Sequence, residues 1–584
     1  MIKEFQELLK DKHIDYYIVP TDDDHQSETV GDYYQARAYL SGFTGSAGTL
    51  LVTPNEAYLW TDGRYFIQAA KELYDGITLM KMGQKGVPTL LEFLVEHVQD
   101  HEVIAFDGQT MTCHFVLDLE KHLQKDYQIQ CIDFMQEFWK DRPQRSCEKA
   151  FLYDIQYHGL AAHEKIEIIL EYMKENDCQS HIIASLDDIA WTFNIRGNDI
   201  PCSPVVLAFA LITNERSYLY LQKGSYDLEM VKALQQENVI IKDYQDIYQD
   251  AHELTGRVLL STKHINYQLF EAIQCQVVDG MNPSQAFKSI KNDVEIQNSQ
   301  NAHIKDGVAM TKFMYWLKNN YGKIDMDEMS VSDKVLEFRQ QQDLFIEPSF
   351  TTICAWKDNA ALMHYHPTKE QYSPIDQDGM LLIDSGGQYM DGTTDITRTF
   401  VLGQITPIQK KHFTMVLQGM LTLQNAHFLH GCTGQSLDIL ARSPMWSEDI
   451  DYQCGTGHGV GHLLNVHEGP QGFRYKLRSM DENVTLEPGM NITDEPGIYL
   501  EGQYGIRIEN ELLCVKGVEN EYGQFLHFEP LTFVPIDLDA IEVDMLSQKE
   551  KNWLNQYHQE VYDKISPYLN EDEKQWLKDY TKAI

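Results

Sequence analysis

Apolar and polar residues alternate in short blocks over the first half of the chain. Tyr16-Tyr17-Ile18-Val19-Pro20 predicts a strand. Leu50 to Thr53 and Ala57 to Trp60, joined by Asn55-Glu56, predict a hairpin. Phe66 to Leu73 has helical spacing, and Val103 to Phe106 predicts another strand. The polar stretch Asp141-Arg142-Pro143-Gln144-Arg145 predicts a linker. The same plan then returns. Lys165 to Lys174 has a helical stripe, and Leu211-Ile212-Thr213-Asn214-Glu215-Arg216-Ser217-Tyr218-Leu219-Tyr220 echoes Leu51-Val52-Thr53-Pro54-Asn55-Glu56-Ala57-Tyr58-Leu59-Trp60. That echo predicts an internally duplicated α/β domain.

A long polar helix over Asn292 to Lys318 opens the rest of the chain. The tail from Leu546 is also helical, with Trp553, Tyr557, Val561 and Ile565 forming a stripe that should pack on its own domain. Residues 2, 5, 8 and 9 make the N-terminus an amphipathic helix without a signal-type apolar core. The longest apolar run, Val205 to Ile212, is far shorter than the ~20 residues of a membrane span.

Composition narrows the class of function. The chain has 584 residues, a formal net charge of −40 and 43% hydrophobic residues, enough for several cores. Mean hydropathy is −0.40 and the pI about 4.8. The acidity excludes nucleic acid and anionic membrane as natural partners. It serves solubility first and attraction for cationic peptides second, and bound metal would neutralise part of it. Ten cysteines occur without a CxxC pair, which fits reduced thiols in a cytoplasmic protein.

The candidate chemistry lies between His364 and Glu509. Asp384 ends the apolar run Met380-Leu381-Leu382-Ile383, and Asp395 precedes the alternating Ile396-Thr397-Arg398-Thr399-Phe400. The turn-rich Ser385-Gly386-Gly387 and Asp391-Gly392 lie between them, so an antiparallel pair would set the two carboxylates side by side. Adjacent carboxylates repel unless a cation separates them. On its own, an Asp–loop–Asp pattern is more often capping than ligation.

His458 sits in Gly455-Thr456-Gly457-His458-Gly459-Val460-Gly461, where glycine permits close backbone approach. His462 and His467 follow, and Glu468-Gly469-Pro470 predicts a turn. Glu495 stands at the end of a strand over Asn491 to Asp494, with the Asp494 side chain on the opposite face. In Gly505-Ile506-Arg507-Ile508-Glu509, alternation puts Arg507 and Glu509 on one face. Arg507 would orient a ligand carboxylate and balance its charge. Four carboxylates with one histidine suit hard divalent ions such as Mn²⁺, and their charge balances two of them. A bridging hydroxide could then form at neutral pH.

The ordered set Asp384, Asp395, His458, Glu495 and Glu509 resembles the pita-bread metallopeptidases, which include methionine aminopeptidases, prolidases and Xaa-Pro aminopeptidases. The segments Asp391-Gly392-Thr393-Thr394-Asp395-Ile396-Thr397-Arg398-Thr399, Leu464-Asn465-Val466-His467-Glu468-Gly469-Pro470 and Thr493-Asp494-Glu495-Pro496-Gly497 are most similar to the large three-domain cytosolic Xaa-Pro aminopeptidases. Ser41 to Gly48, Trp60 to Phe66, Leu186 to Trp191 with Asn194 to Gly197, Phe528 to Thr532 and Trp553 to His558 extend the resemblance to the whole chain.

The resemblance implies two related α/β creatinase-like domains over residues 1–142 and 143–293. A pita-bread catalytic domain over 294–584 would follow, with a helical extension from about 530. It implies removal of an N-terminal residue preceding proline from peptides, by a homodimer with two divalent metal ions in each chain. Asp384 and Asp395 would hold one metal, with Asp395 and Glu509 bridging to a second completed by His458 and Glu495. Glu495 would also move the proton. His364 would serve the leaving group and His467 the substrate. Cys454 stands where the family has a histidine that shapes the proline-side pocket. His462 replaces a small or apolar residue, and packing is its expected role. The rival readings are a prolidase, confined to dipeptides, and a non-catalytic peptide- or histone-binding module on the same fold.

Overall fold

A short echo of ten residues turns out to mark a full duplication of topology. The computed structural model describes residues 1–477 and 483–584. They divide into two compact units, one formed by Met1–Asp154 with Leu160–Gln285 and the other by Ile155–Gly159 with Ala286–Ile584.

The first unit contains two six-stranded sheets. The strands of one run, in spatial order, Ile77–Lys81, Ala57–Thr61, Thr49–Val52, Tyr16–Pro20, Val103–Phe106 and Gln128–Cys131. The other runs Val239–Asp243, Ser217–Leu221, Ala208–Thr213, Ser180–Ile183, Arg257–Leu260 and Gln276–Asp279. In both, two antiparallel pairings at the third strand are flanked by parallel ones. The echoed segments are the second and third strands of each sheet, paired Leu51↔Tyr58 and Leu211↔Tyr218. The Tyr16–Pro20 and Ala208–Thr213 strands beside or within that pair are buried on both faces, as parallel-rich sheets require. Residues 141–150 are irregular, as their composition predicts, but they are tied down. Arg142 pairs with Asp133 at 2.6 Å and Arg145 with buried Asp24 at 3.0 Å.

In the second unit, the Asp293–Asn320 helix starts with a capping box from Asn292 and Glu295. The Glu328–Gln340, Pro407–Gln424 and Gly434–Trp446 helices surround curved antiparallel sheets. One sheet is Ile353–Trp356, Gly379–Ser385 and Ile396–Leu402. A six-stranded sheet runs His427–Leu429, Gly523–Pro530, Asn510–Asn520, Asn491–Asp494, Gly457–Gly459 and Glu468–Phe473. Gly497–Leu500 pairs with Tyr504–Arg507. The C-terminal Gln548–Ile565 helix buries Tyr557, Val561 and Ile565 in the same core as Phe413, Val416 and Ile506. The predicted stripe is therefore a packed face of this unit. Among the described residues, no helix is long and apolar enough to cross a membrane.

One local expectation fails. Glu468-Gly469-Pro470 begins the Glu468–Phe473 strand instead of forming a turn. Its pairing with the glycine-rich strand jumps from Gly472, opposite His458, to Glu468, opposite Gly459. Sheet pairing thus overrides the local preference of Gly-Pro, and the irregular register absorbs it.

Candidate metal centre

Five strands deliver the predicted acidic and histidine residues to one place. The Gly379–Ser385 and Ile396–Leu402 strands pair with Asp384 opposite Thr397, which brings Asp395 alongside. Glu509 follows the Tyr504–Arg507 strand, and its N–H donates to the Thr397 carbonyl at 3.1 Å. Glu495 follows the Asn491–Asp494 strand, and its N–H donates to the Thr456 carbonyl at 2.8 Å. His458 lies in Gly457–Gly459, where the backbones approach so closely that a Cβ on Gly457 would fall 1.9 Å from the Thr493 carbonyl oxygen. Only glycine permits that approach.

Ligand atoms of Asp395, His458 and Glu509 all lie within 4.8 Å of one another. His458 Nε2 is 3.4 Å from Glu495 Oε1 and 3.6 Å from Asp395 Oδ2. Arg507 Nη2 donates to Asp384 Oδ2 at 2.5 Å, as its position on the strand predicts. Its Nε also reaches Thr397 Oγ1 at 3.0 Å, and the Thr397 hydroxyl donates to Glu509 Oε2 at 2.8 Å. One guanidinium thus orients two carboxylates, one directly and one through a hydroxyl.

The electrostatics are unfavourable for these groups by themselves. Burial, then the charges of Glu509 and Asp384, pushes the Asp395 carboxyl well above the usual carboxylate range. Burial, then Glu495 and Asp384, does the same to Glu509. Burial raises Glu495 to about 7, against the opposing pull of Arg507. Asp384 Oδ1, Asp395 Oδ1 and Glu509 Oε1 are buried without a hydrogen-bond partner. Buried anionic oxygens that lack donors call for cations. The donor set, carboxylate oxygens with one imidazole, fits hard divalent metals.

A second layer was not foreseen from the sequence. The Asp293–Asn320 helix buries a polar stripe, Ser299, His303 and Asp306. His303 Nε2 stands 3.0 Å from Glu511 Oε1, and that oxygen accepts the Asp395 N–H at 2.6 Å. Glu511 Oε2 accepts from Asn491 at 2.7 Å. Asp306 pairs with Arg339 at 2.7 Å, and Arg339 reaches the Ser385 carbonyl, next to Asp384, at 3.1 Å. The available signal was the spacing of three polar residues down one face of a long helix, and a carboxylate two positions beyond Glu509. Glu511→Ala is expected to weaken binding of divalent metal about 10- to 100-fold, the usual cost of losing a group that orients a ligand. Titration of the metal-free variant with Mn²⁺ by calorimetry checks this.

His467 lies edge-on to His458, with ring centroids 4.3 Å apart. His364 is half-buried in the segment joining Ile353–Trp356 to Gly379–Ser385. Cys454 is half-buried and packs against the same core as Tyr499, whose hydroxyl accepts from Arg507 at 2.7 Å. The Cys454 carbonyl accepts from Arg442 at 2.6 Å. His462 is buried and structural, with Nδ1 3.1 Å from Ser299 Oγ and Nε2 2.8 Å from the Tyr157 carbonyl oxygen.

Comparison with known proteins agrees with this geometry. The family profile for metallopeptidase family M24 matches residues 297–516, and that for the C-terminal region of peptidase M24 matches 524–584. Profiles for the creatinase/prolidase N-terminal domain match 1–143 and 141–295. The probable Xaa-Pro aminopeptidase P of Talaromyces marneffei is 39% identical over 605 aligned residues, covering 100% of this chain and 92% of that one. Aminopeptidase P2 of Arabidopsis thaliana is 37% identical, covering 98% of this chain and 86% of its own. The crystal structure of X-prolyl aminopeptidase from Caenorhabditis elegans, described as a cytosolic enzyme with a di-nuclear active site, superposes with a TM-score of 0.92 at 34% identity. It covers 98% of this chain and 95% of that one. Xaa-Pro dipeptidase from Bacillus anthracis shares the fold over 65% of this chain, with a TM-score of 0.52 at 23% identity. The architecture is therefore creatinase-type N-terminal domains followed by a pita-bread domain. Matched from end to end at this level of identity, the chain belongs to the Xaa-Pro aminopeptidases of metallopeptidase family M24.

Proposed function

We propose that this protein hydrolyses the bond between an N-terminal residue and a following proline in peptides, using two divalent ions, Mn²⁺ in the cell. Asp384, Asp395, His458, Glu495 and Glu509 would hold them. The observation that carries the reading is the convergence of three buried carboxylate oxygens without hydrogen-bond partners on one histidine-bearing centre. A metal pair there would supply an activated water and polarise the scissile carbonyl.

The protein's own groups do the rest. Glu495 would take and return the proton. His364 and His467 donate to the developing oxyanion and to the departing proline nitrogen. Proline offers no backbone N–H, so a site that reads the free amine and the ring replaces the usual strand-like grip. Cys454, packed against the same core as Tyr499, would line the proline side with a thiol in place of an imidazole.

The working division is residues 1–142, 143–293 and 294–584, with the catalytic chemistry in the last and a homodimer as the assembly. A cytoplasmic location is supported by ten cysteines outside disulfides and by the cytosolic relative from Caenorhabditis elegans.

Metal-stripped protein is expected to leave an Arg-Pro-Pro peptide intact and to release free arginine when Mn²⁺ is restored. Chromatography of the products checks this. Cleavage of an Ala-Pro dipeptide but not of the tripeptide would turn the assignment to a prolidase. No cleavage with any divalent metal would turn it to a peptide-binding module.

A further inference from the structure

Residues 357–378 connect the Ile353–Trp356 and Gly379–Ser385 strands and carry His364. Beyond the short turn Lys357–Ala361 the segment has no regular structure, so side chains must hold it. One carboxylate does most of this. Glu328, the first residue of its helix, is 0% exposed. Its Oε1 accepts from the Trp356 N–H at 2.6 Å and from Asn359 Nδ2 at 2.9 Å. Its Oε2 accepts from the Tyr365 hydroxyl at 2.7 Å and from the Ser373 N–H at 2.7 Å. The Glu328 N–H in turn donates to the Ser373 carbonyl at 3.1 Å. The entrance, middle and exit of the segment therefore meet on one side chain.

These four donors are all neutral. A buried carboxylate served by neutral donors is a costly brace, and an apolar side chain would serve a segment that needed only to be covered. What the carboxylate adds is direction, because each donor must point at it. The opposite side of the segment is equally constrained. A Cβ on Gly505 would fall 1.7 Å from the Ala360 carbonyl oxygen, so the segment seats directly on the Tyr504–Arg507 strand. Arg507 Nη2 lies 3.4 Å from the Met363 carbonyl oxygen and also holds Asp384. His364 is thus bracketed: the residue before it is tied to Arg507 at the metal centre, and the residue after it to Glu328.

We propose that Glu328, acting through the Tyr365 hydroxyl, is a positioning residue that holds His364 at its working distance from the Asp384 side of the centre. The proposal rests on the assignment of His364 to the reaction and adds the group that places it.

The test is a double-mutant cycle on the metal-loaded full chain with an Arg-Pro-Pro peptide. Tyr365→Phe and Glu328→Gln are each expected to lower kcat about 10- to 100-fold, the range for a reacting group displaced by about 1 Å. KM and bound metal should not change. In a His364→Ala background, neither substitution should lower kcat further. Tyr365→Phe removes a single hydroxyl and keeps the test valid if Glu328→Gln does not fold. Equal losses with and without His364, or loss of metal, would overturn the proposal in favour of general bracing. A defective His364→Ala beside a fully active Tyr365→Phe would overturn the positioning alone. A fully active His364→Ala would remove the catalytic assignment of His364 itself.

Discussion

Asp395→Asn is expected to abolish peptidase activity, by on the order of 10⁴-fold in kcat/KM, while making the metal-free protein more stable. The opposite signs come from one geometry. Asp395 lies among Asp384, Glu495 and Glu509, and burial together with these charges pushes its carboxyl well above the usual range. Glu509 is raised for the same reasons, and Glu495 is raised to about 7. A carboxyl whose folded value is raised favours the fold while protonated. That contribution is present below the ordinary carboxylate range and is lost as pH climbs through the raised folded values. Without metal, the protein should therefore lose stability as pH rises from the ordinary carboxylate range, through about 7 for Glu495 and through the raised values of Asp395 and Glu509. Asparagine removes one member of the repelling set and keeps its shape. The backbone N–H of residue 395 still reaches Glu511. Cations and protons compete for the same oxygens, so Mn²⁺ should raise the Tm more at pH 8 than at pH 5.5 and release protons as it binds. Thermal unfolding of both proteins, with and without metal at the two pH values, measures this. A metal-induced rise that is the same at both pH values would mean that these carboxylates are not the ligands.

The five candidate residues that the fold brings together were readable because each stands at the end of a strand or between glycines, where the backbone itself aims the side chain. Asp384 ends an apolar run, Asp395 precedes an alternating one and Glu509 follows one, and the register of these strands is strongly determined. The duplication was readable from one hairpin because that hairpin is the same pair of strands in each sheet. What could not be read is the layer beneath. His303 meets Glu511, and Arg339 meets Ser385, only after two separate helices pack against the sheets, and the spacing of polar residues along a helix does not record which partners they will meet. Glu328 is similar: at the start of a helix it reads as an ordinary first-turn acid, yet its four donors come from a segment that follows much later in the chain. The strand at Glu468–Phe473 was misread for the converse reason. A strong local turn signal was outweighed by sheet pairing.

Removing one hydroxyl from the C-terminal extension should damage the metal centre from behind. Tyr557→Phe is expected to destabilise the second unit by about 3 kcal/mol, lowering its Tm by about 6–12 °C, and to weaken Mn²⁺ binding as well. Arg398 is almost fully buried, and the acceptors that surround its guanidinium are neutral. They are the carbonyls of Thr397, Glu509, Val534 and Pro535, the Asn510 side chain and the Tyr557 hydroxyl. Burial lowers its pKa from the usual arginine value, yet at this strength the group stays charged. The Tyr557 hydroxyl lies 2.9 Å from Arg398 Nη2 and 2.9 Å from the Val534 carbonyl oxygen. It also lies 3.1 Å from the Thr532 carbonyl oxygen. Phenylalanine would leave these buried groups short of a partner without opening a cavity, so the loss isolates the polar contact. Because Arg398 also grips the backbone carbonyl of Glu509, slack at Tyr557 passes directly to a residue of the candidate metal centre. Arg398→Met should be worse, since it strips partners from several buried carbonyls at once. Thermal unfolding and Mn²⁺ titration of Tyr557→Phe separate the alternatives. A lower Tm with unchanged metal affinity would make the extension a passive buttress. Loss of both shows that the helix at 548–565 belongs to the machinery that shapes the site.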